Sequence, residues 1–200
     1  MMNTKKGIMA WFVVFAIAMM LAACATTPPP AGPQSVEQAA CIPEWTVNPP
    51  SAEDGLYGSG IAKMQDAALS KKAADTRARD EVAMAIQVKV ETMMKDFMQQ
   101  AGIGDAGQAL QLSQSVSKQI SSQVLYGCKV VKRHVCPDGT WHALALWPMD
   151  QAGALKKAIS DQTKDQVKNE YALYNEFKAK NGFDDLQKEL DKLDFTEKEQ

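Results

Sequence analysis

Histidine is nearly absent from this chain: among 200 residues only His134 and His142 carry an imidazole. A Ser-His-Asp or Cys-His centre would need one of them beside a nucleophile and an orienting carboxylate. Cys136 is near His134 in sequence, but in an oxidising compartment its expected role is that of a disulfide partner. The chain also has no basic excess, with 22 Lys and Arg against 24 Asp and Glu and a formal net charge of -2. Nucleic acids and anionic head groups are recognised by basic patches, so neither is an expected ligand. No run is long enough to span a membrane, because the apolar segment from Ile8 to Met20 falls short of the roughly 20 residues required. Gly58-Ser59-Gly60 lacks the third glycine of a dinucleotide fingerprint, since Lys63 stands in its place, and a parallel βαβ setting is missing. Paired carboxylates do not stand out from the charge of the helix surfaces. The chain is therefore not expected to be an enzyme, and no cofactor, metal or small-molecule substrate is expected.

The N-terminus carries the most specific signal. Lys5 and Lys6 precede the apolar segment, and Leu21-Ala22-Ala23-Cys24 closes it. A basic start, a short apolar middle and small residues at a cut site make a secretory signal. The four closing residues look like a bacterial lipobox, which implies cleavage before Cys24 and lipidation of its sulfur and new amino terminus. One acyl chain holds a protein only reversibly, whereas two or more attach it stably. Ala25 stands where an Asp would favour retention at the inner membrane, so the expected site is the outer membrane, facing the periplasm. Lys5 and Lys6 leave with the signal, making the mature chain more acidic. Residues 25–40, with Pro28-Pro29-Pro30 and Pro33, hold almost no large apolar side chains. They are expected to form an extended spacer of tens of ångströms, at about 3.1 Å per residue. The expected organisation is signal 1–23, lipidated terminus and linker 24–40, an α+β domain 41–150, and a helical extension 151–200.

Order is expected from Cys41, with Trp45 on the edge of the domain. Leu56 to Ala62 reads as a short strand whose glycines mark close approach by another element. From Asp66 to Gln100, apolar residues at Ala74, Ala78, Val82, Ile86, Val90, Met93 and Phe97 step by three and four along one helical face. The alanines let the helix lie close to a sheet, and the bulkier residues fill a wider gap beyond. Asp75 with Arg79, and Arg77 with Glu81, are spaced for i,i+4 pairs. Met84, Met93, Met94 and Met98 suit core gaps better than a greasy docking face. Gly102 and Gly104 stop the helix. A second helix is expected from about Gln108 to Gln123, with Leu112, Val116 and Ile120 inward.

Val124 to Trp147 reads as a hairpin turning at Pro137-Asp138-Gly139, a type I turn with a glycine bulge. That register sets His134 opposite His142 and Val135 opposite Trp141. The two histidines make at most half a zinc site. With no third ligand apparent, a ligand-free pair is expected. Asp150 then caps a helix to about Lys180, with Leu155, Ile159, Val167, Tyr171, Tyr174 and Phe177 on its stripe and Asn181-Gly182 ending it. Leu186, Leu190 and Leu193 suit a tail that folds back. The fold class is α+β: a small antiparallel three-stranded sheet covered by a long helix, with a C-terminal helical extension.

The succession Pro43-Glu44-Trp45, Leu56-Tyr57-Gly58-Ser59-Gly60-Ile61-Ala62, a helix with Ala73-Ala74, Ala78-Arg79 and Val82-Ala83-Met84-Ala85-Ile86, and a hairpin around Asp138-Gly139 resembles the Lpp-twenty-like family of bacterial outer-membrane lipoproteins. The likeness covers roughly Pro43 to Trp147. It implies a non-catalytic protein working through contacts with envelope proteins, with flagellar proteins, or with copies of itself. An alternative is a periplasmic adaptor or activator of a cell-wall enzyme. The C-terminal helix and the cysteines at 41, 128 and 136 lie outside the resemblance.

The cysteines are constrained by distance. Cys128 and Cys136 on one extended arm would stand roughly 26 Å apart, and a disulfide needs Cα atoms within about 7 Å. Cys41 must take one of them or none. If two antiparallel helices return the chain to the far end of the first strand, the next strand runs antiparallel to it. Cys136 then arrives near that strand's beginning, where Cys41 enters. A Cys41–Cys136 bridge is expected, leaving Cys128 as a buried thiol or an intermolecular partner.

Mass spectrometry of the mature N-terminal peptide is expected to find Cys24 first and lipid-modified, and Cys24→Ser is expected to accumulate unprocessed precursor. An unmodified residue, or a start elsewhere, contradicts this reading.

Overall fold

The computed structural model describes residues 41–51 and 54–195. Cys24 and the proline-rich segment lie outside the described residues. The elements in order are α1 (Glu44–Val47), β1 (Gly55–Ala62), α2 (Ala67–Ala101), α3 (Ala106–Gly127), β2 (Lys129–Val135), β3 (Trp141–Pro148), a 3-10 turn (Met149–Gln151), α4 (Ala152–Lys168), α5 (Tyr171–Ala179) and α6 (Gly182–Lys192). The fold is α+β, with a three-stranded antiparallel sheet in the order β1-β3-β2.

Helix α2 organises the rest. Asp66 caps it by accepting from the Leu69 amide at 2.8 Å, and Gly102 ends it at φ 61°. Its buried side runs from Ser70, Ala74 and Ala78 through Val82 and Ile86 to Val90, Met94, Phe97 and Met98. The small residues lie over the glycines of β1. A Cβ on Gly60 would come within 2.2 Å of the Ala74 carbonyl oxygen and 2.4 Å of the Ala78 nitrogen, and one on Gly58 within 2.6 Å of the Ala78 oxygen. The glycine pair thus serves helix-to-sheet contact. Farther along, α2 packs on α3, where Leu112, Val116, Ile120 and Val124 face inward. Met94 and Met98 are core residues, whereas Met84 is exposed.

Polar side chains of α2 are spent on the sheet rather than on their own helix. Asp75 takes a two-pronged bond from Arg133 of β2, at 2.7 and 3.0 Å. Arg77 donates to the Ile61 carbonyl and Glu81 accepts from the Ser59 amide. The i,i+4 pairings expected from the sequence yield to these, because a bond to an otherwise unpaired edge group on β1 satisfies a backbone that water would have to serve. Arg79 Nε is buried and has no hydrogen-bond partner among the described residues.

Helix α3 opens with a capping box between Asp105 and Gln108 and runs to Gly127, four residues past the expected end. Val124 continues the four-residue step of Leu112, Val116 and Ile120, so burial assigns it to the helix, and β2 begins only at Lys129. The hairpin register is as the turn requires. His134 pairs with His142 and Val135 with Trp141, the Gly139 amide donates to the Cys136 carbonyl at 2.9 Å, and Gly139 has φ 84°. Val131 sits at a bulge.

The direction of β2 differs from expectation. Both β1 and β2 pair antiparallel with β3, so they run parallel to each other. Helix lengths explain this. Helix α2 has 35 residues and α3 has 22, roughly 52 and 33 Å at about 1.5 Å per residue. The shorter helix brings the chain back only to the near end of the sheet, and β2 must then run the same way as β1.

Residues 151–195 do not stand apart. Leu155, Ile159, Val167, Leu173, Phe177, Leu186, Leu190 and Phe195 belong to the same buried core, and Phe195 meets Trp147 edge-on at 5.7 Å. The expected single helix to Lys180 breaks after Lys168, where the Asn169 and Glu170 amides bond back three residues. The break turns Leu173 inward and leaves Tyr171 exposed. Asp150 lies in the 3-10 turn, and α4 starts without a side-chain cap. Asn181 adopts φ 54° between α5 and α6, and Leu186 and Leu190 fold the tail back.

Gly60→Ala is expected to cost about 3 kcal/mol, because its Cβ meets helix backbone that cannot move aside. That is a fall of roughly 6–12 °C in Tm for a domain of this size. Gly153→Ala, where a Cβ meets nothing within 4 Å, is expected to leave Tm unchanged or slightly raised. Calorimetry of the two variants checks both.

Candidate functional site

The far end of the sheet, where β1 ends and the hairpin turns, gathers the reactive side chains. The turn puts Cys136 just beyond β2, and antiparallel pairing sets His134 and His142 side by side with ring centroids 6.3 Å apart. The remaining members come from the N-terminal segment. Before β1, the chain from Cys41 to Asp54 must reach the strand's beginning. It does so by way of α1, which packs against β1 and β3. Ser59 Oγ donates to the Thr46 carbonyl at 3.1 Å, and Thr46 Oγ1 lies 3.3 Å from His142 Nδ1. This direction of travel carries Cys41 to the far end of the sheet.

Cys41 is bonded to Cys136, with Cα atoms 5.8 Å apart. The expected pair is the one formed, but not by the expected route. Cys136 arrives level with the end of β1, not its beginning, since β2 runs parallel to β1, and Cys41 enters at that end too. The loop closed spans 95 residues, for which chain entropy gives about 4.7 kcal/mol as an upper-side figure.

The imidazoles flank the bridge. His134 Nε2 lies 3.4 Å from Cys41 Sγ, and His142 Nε2 lies 3.6 Å from Cys136 Sγ. His134 is exposed, whereas His142 and Cys136 are buried. Burial first, and the neighbouring His134 second, hold the His142 pKa below the ordinary histidine value against a smaller opposing pull from Asp138. Asp138 accepts from the Thr140 amide and hydroxyl, each at 2.9 Å, and pairs with Lys63 at 3.0 Å, which ties the turn to the end of β1.

The two histidines and Cys136 were legible as neighbours because a hairpin with a known turn fixes its register. Cys41 was legible as the partner of Cys136, but not its approach to His134, 93 residues away, nor that of Thr46 to His142, 96 residues away. Cys128 is the free thiol of the described residues; it is buried, and burial pushes its pKa up to about 11 against a smaller opposing effect of Arg79.

Surface grooves lie elsewhere among the described residues, three of them sizeable. One of 420 Å³ is lined by Lys156, Lys157, Lys164, Asp161 and their neighbours, one of 370 Å³ separates α2 from the C-terminal end, and one of 300 Å³ surrounds Gly102 to Asp105. None of the three contains a histidine or cysteine, so none joins a nucleophile to an imidazole base.

A family model described as LPP20 lipoprotein matches residues 43–146, just over half of the 200. The chain belongs to the LPP20 lipoprotein family. No curated protein and no solved structure matches it. The matched stretch holds α1, the whole sheet up to Leu146, α2 and α3, so the fold of this family member centres on the α2–sheet contact. Cys41 falls just before the match, and α4 to α6 follow it. As a member of this family the chain is a membrane-anchored lipoprotein.

Non-reducing peptide mapping of the mature protein is expected to recover a Cys41–Cys136 peptide. At pH 8 a thiol with a pKa of about 11 is ~0.1% thiolate, against about a quarter for an ordinary cysteine near 8.5. Alkylation of Cys128 in the folded protein is therefore expected to run at least about 100-fold slower than in denaturant. Ready labelling of folded Cys128, or of Cys41, contradicts the structure.

Proposed function

We propose that this lipoprotein is anchored in the outer membrane, faces the periplasm and acts without catalysis, through protein contacts in envelope or flagellar assembly. The observation that carries this reading is the Cys41–Cys136 bridge. It joins the first described residue after the expected linker covalently to the far end of the hairpin. Disulfides persist in oxidising compartments such as the periplasm, which supports the location. A domain fastened covalently at the point where its tether enters is suited to hold a position against load, which supports a role in assembly.

The alternative is an adaptor or activator of a cell-wall enzyme. Sedimentation of the mature, lipidated protein in detergent separates the two. The assembly reading expects rings, fibres or other self-association beyond one chain, together with recovery in the outer-membrane fraction on a density gradient. A strictly monomeric protein that raises the turnover of a peptidoglycan-cleaving enzyme supports the adaptor instead. Recovery in the inner-membrane fraction contradicts the location.

A further inference from the structure

We propose that Cys41, His134, Cys136 and His142 form a Zn²⁺ site when the disulfide is reduced, so that the N-terminal segment is clamped either by a sulfur–sulfur bond or by a metal. Cys41 Sγ, His134 and Cys136 Sγ already offer ligand atoms within 4.8 Å of one another. His142 stands behind Cys136, with Nε2 at 3.6 Å from its sulfur.

The separations suit tetrahedral zinc. With Zn–S near 2.3 Å and Zn–N near 2.0–2.1 Å, a sulfur and a nitrogen on one tetrahedral ion stand about 3.6 Å apart. The nitrogen–sulfur distances here are 3.4 and 3.6 Å. The sulfurs must separate, to roughly 3.8 Å by the same geometry, and His142, which stands outside the trio whose ligand atoms lie within 4.8 Å of one another, must close in on the ion from its place beside Cys136. With Cα atoms at 5.8 Å, side-chain rotation supplies that separation without moving the backbone. Two thiolates also match the ion's charge and its preference for soft ligands.

The surroundings orient the buried imidazole. His142 Nδ1 faces Thr46 Oγ1 at 3.3 Å. A proton placed there and donated to the hydroxyl leaves the lone pair on Nε2, the atom beside Cys136. Metal-bound histidines are commonly fixed by such a partner on the other ring nitrogen. Thr46 and Cys41 both belong to the N-terminal segment, so the metal would hold that segment to the hairpin as the disulfide does.

The chemistry balances with a dithiol reductant. Its two sulfurs become a disulfide as two electrons and two protons pass to Cys41 and Cys136, opening their S–S bond to two thiols. Binding of Zn²⁺ then displaces the two thiol protons to solvent, and the neutral imidazoles add through their lone pairs.

The test uses the mature protein, oxidised and anaerobically reduced, titrated with Zn²⁺ against a chromophoric chelator and with Co²⁺ for the thiolate-to-metal charge-transfer band. One equivalent is expected to bind the reduced form with that band, and none to bind the oxidised form at comparable affinity. Zinc is expected to raise the Tm of the reduced protein alone. His134 is exposed, so His134→Ala keeps the fold and is expected to weaken binding at least tenfold; Thr46→Val is expected to weaken it about tenfold through the lost orientation of His142. Cys128→Ser is expected to bind as wild type does. Equal binding by the oxidised form, no binding by the reduced form, an unchanged affinity in His134→Ala, or loss of binding in Cys128→Ser each overturns the proposal.

Discussion

The close approach of α2 to β1 is the constraint on which the rest of the structure depends. Gly58 and Gly60 leave no room for a Cβ beneath the Ala74 and Ala78 backbone. Helix and strand therefore meet at backbone distance, and the helix must present small residues there. Once its axis is fixed so near the sheet, Asp75, Arg77 and Glu81 come within reach of β1 and β2. The edge of β1 that would otherwise offer unpaired amides and carbonyls is thereby occupied, which removes a template for pairing with another chain.

The length of α2 sets the topology. It covers the sheet with its first turns and continues well past it, so a second layer is required for Val90, Met94, Phe97 and Met98. Helix α3 supplies part of that layer, and α4 to α6 supply more, with Phe177 near Phe97 at 6.2 Å and stacked on Phe183 at 5.0 Å. The C-terminal helices therefore act as structural cover for the overhanging half of α2. This explains why a stretch outside the family match is as deeply buried as the stretch inside it.

Local and periodic features were legible in the sequence. The α2 stripe, the glycine contact, the hairpin turn and the His134–His142 register each follow from spacing over a few residues. Features that depend on long distances were not. The direction of β2 turned on a difference in helix lengths, and a return to the far end of β1 was inferred although the expected second helix was shorter still than the 22 residues of α3. The break after Lys168 was also missed, because Tyr171 fits the apolar step of the preceding stripe while the buried residue is Leu173. At the candidate site, the hairpin supplied His134, Cys136 and His142 in register. Distance along β2 excludes a Cys128–Cys136 bridge whichever way that strand runs, and the choice of Cys136 for Cys41 came out right because two errors cancel: β2 runs parallel to β1, and Cys41 enters at the end of β1 instead of its beginning.

Under the proposed N-terminal anchor, that clasp changes how the domain would receive force. Without the bridge, a pull entering at Cys41 would act first on α1, a four-residue helix held to the sheet by Thr46 and a few neighbours. Such a short element has little cooperative stability of its own, and it would peel away before the sheet yielded. With the bridge, the pull passes through a covalent bond to Cys136, beside the turn that Asp138 braces to Thr140 and Lys63. From there it spreads into β3, the central strand, whose Ala143, Leu144, Ala145 and Trp147 are buried in the core. The load is thus delivered to the part of the domain that packing against α2 makes hardest to open, and α1 is relieved of it.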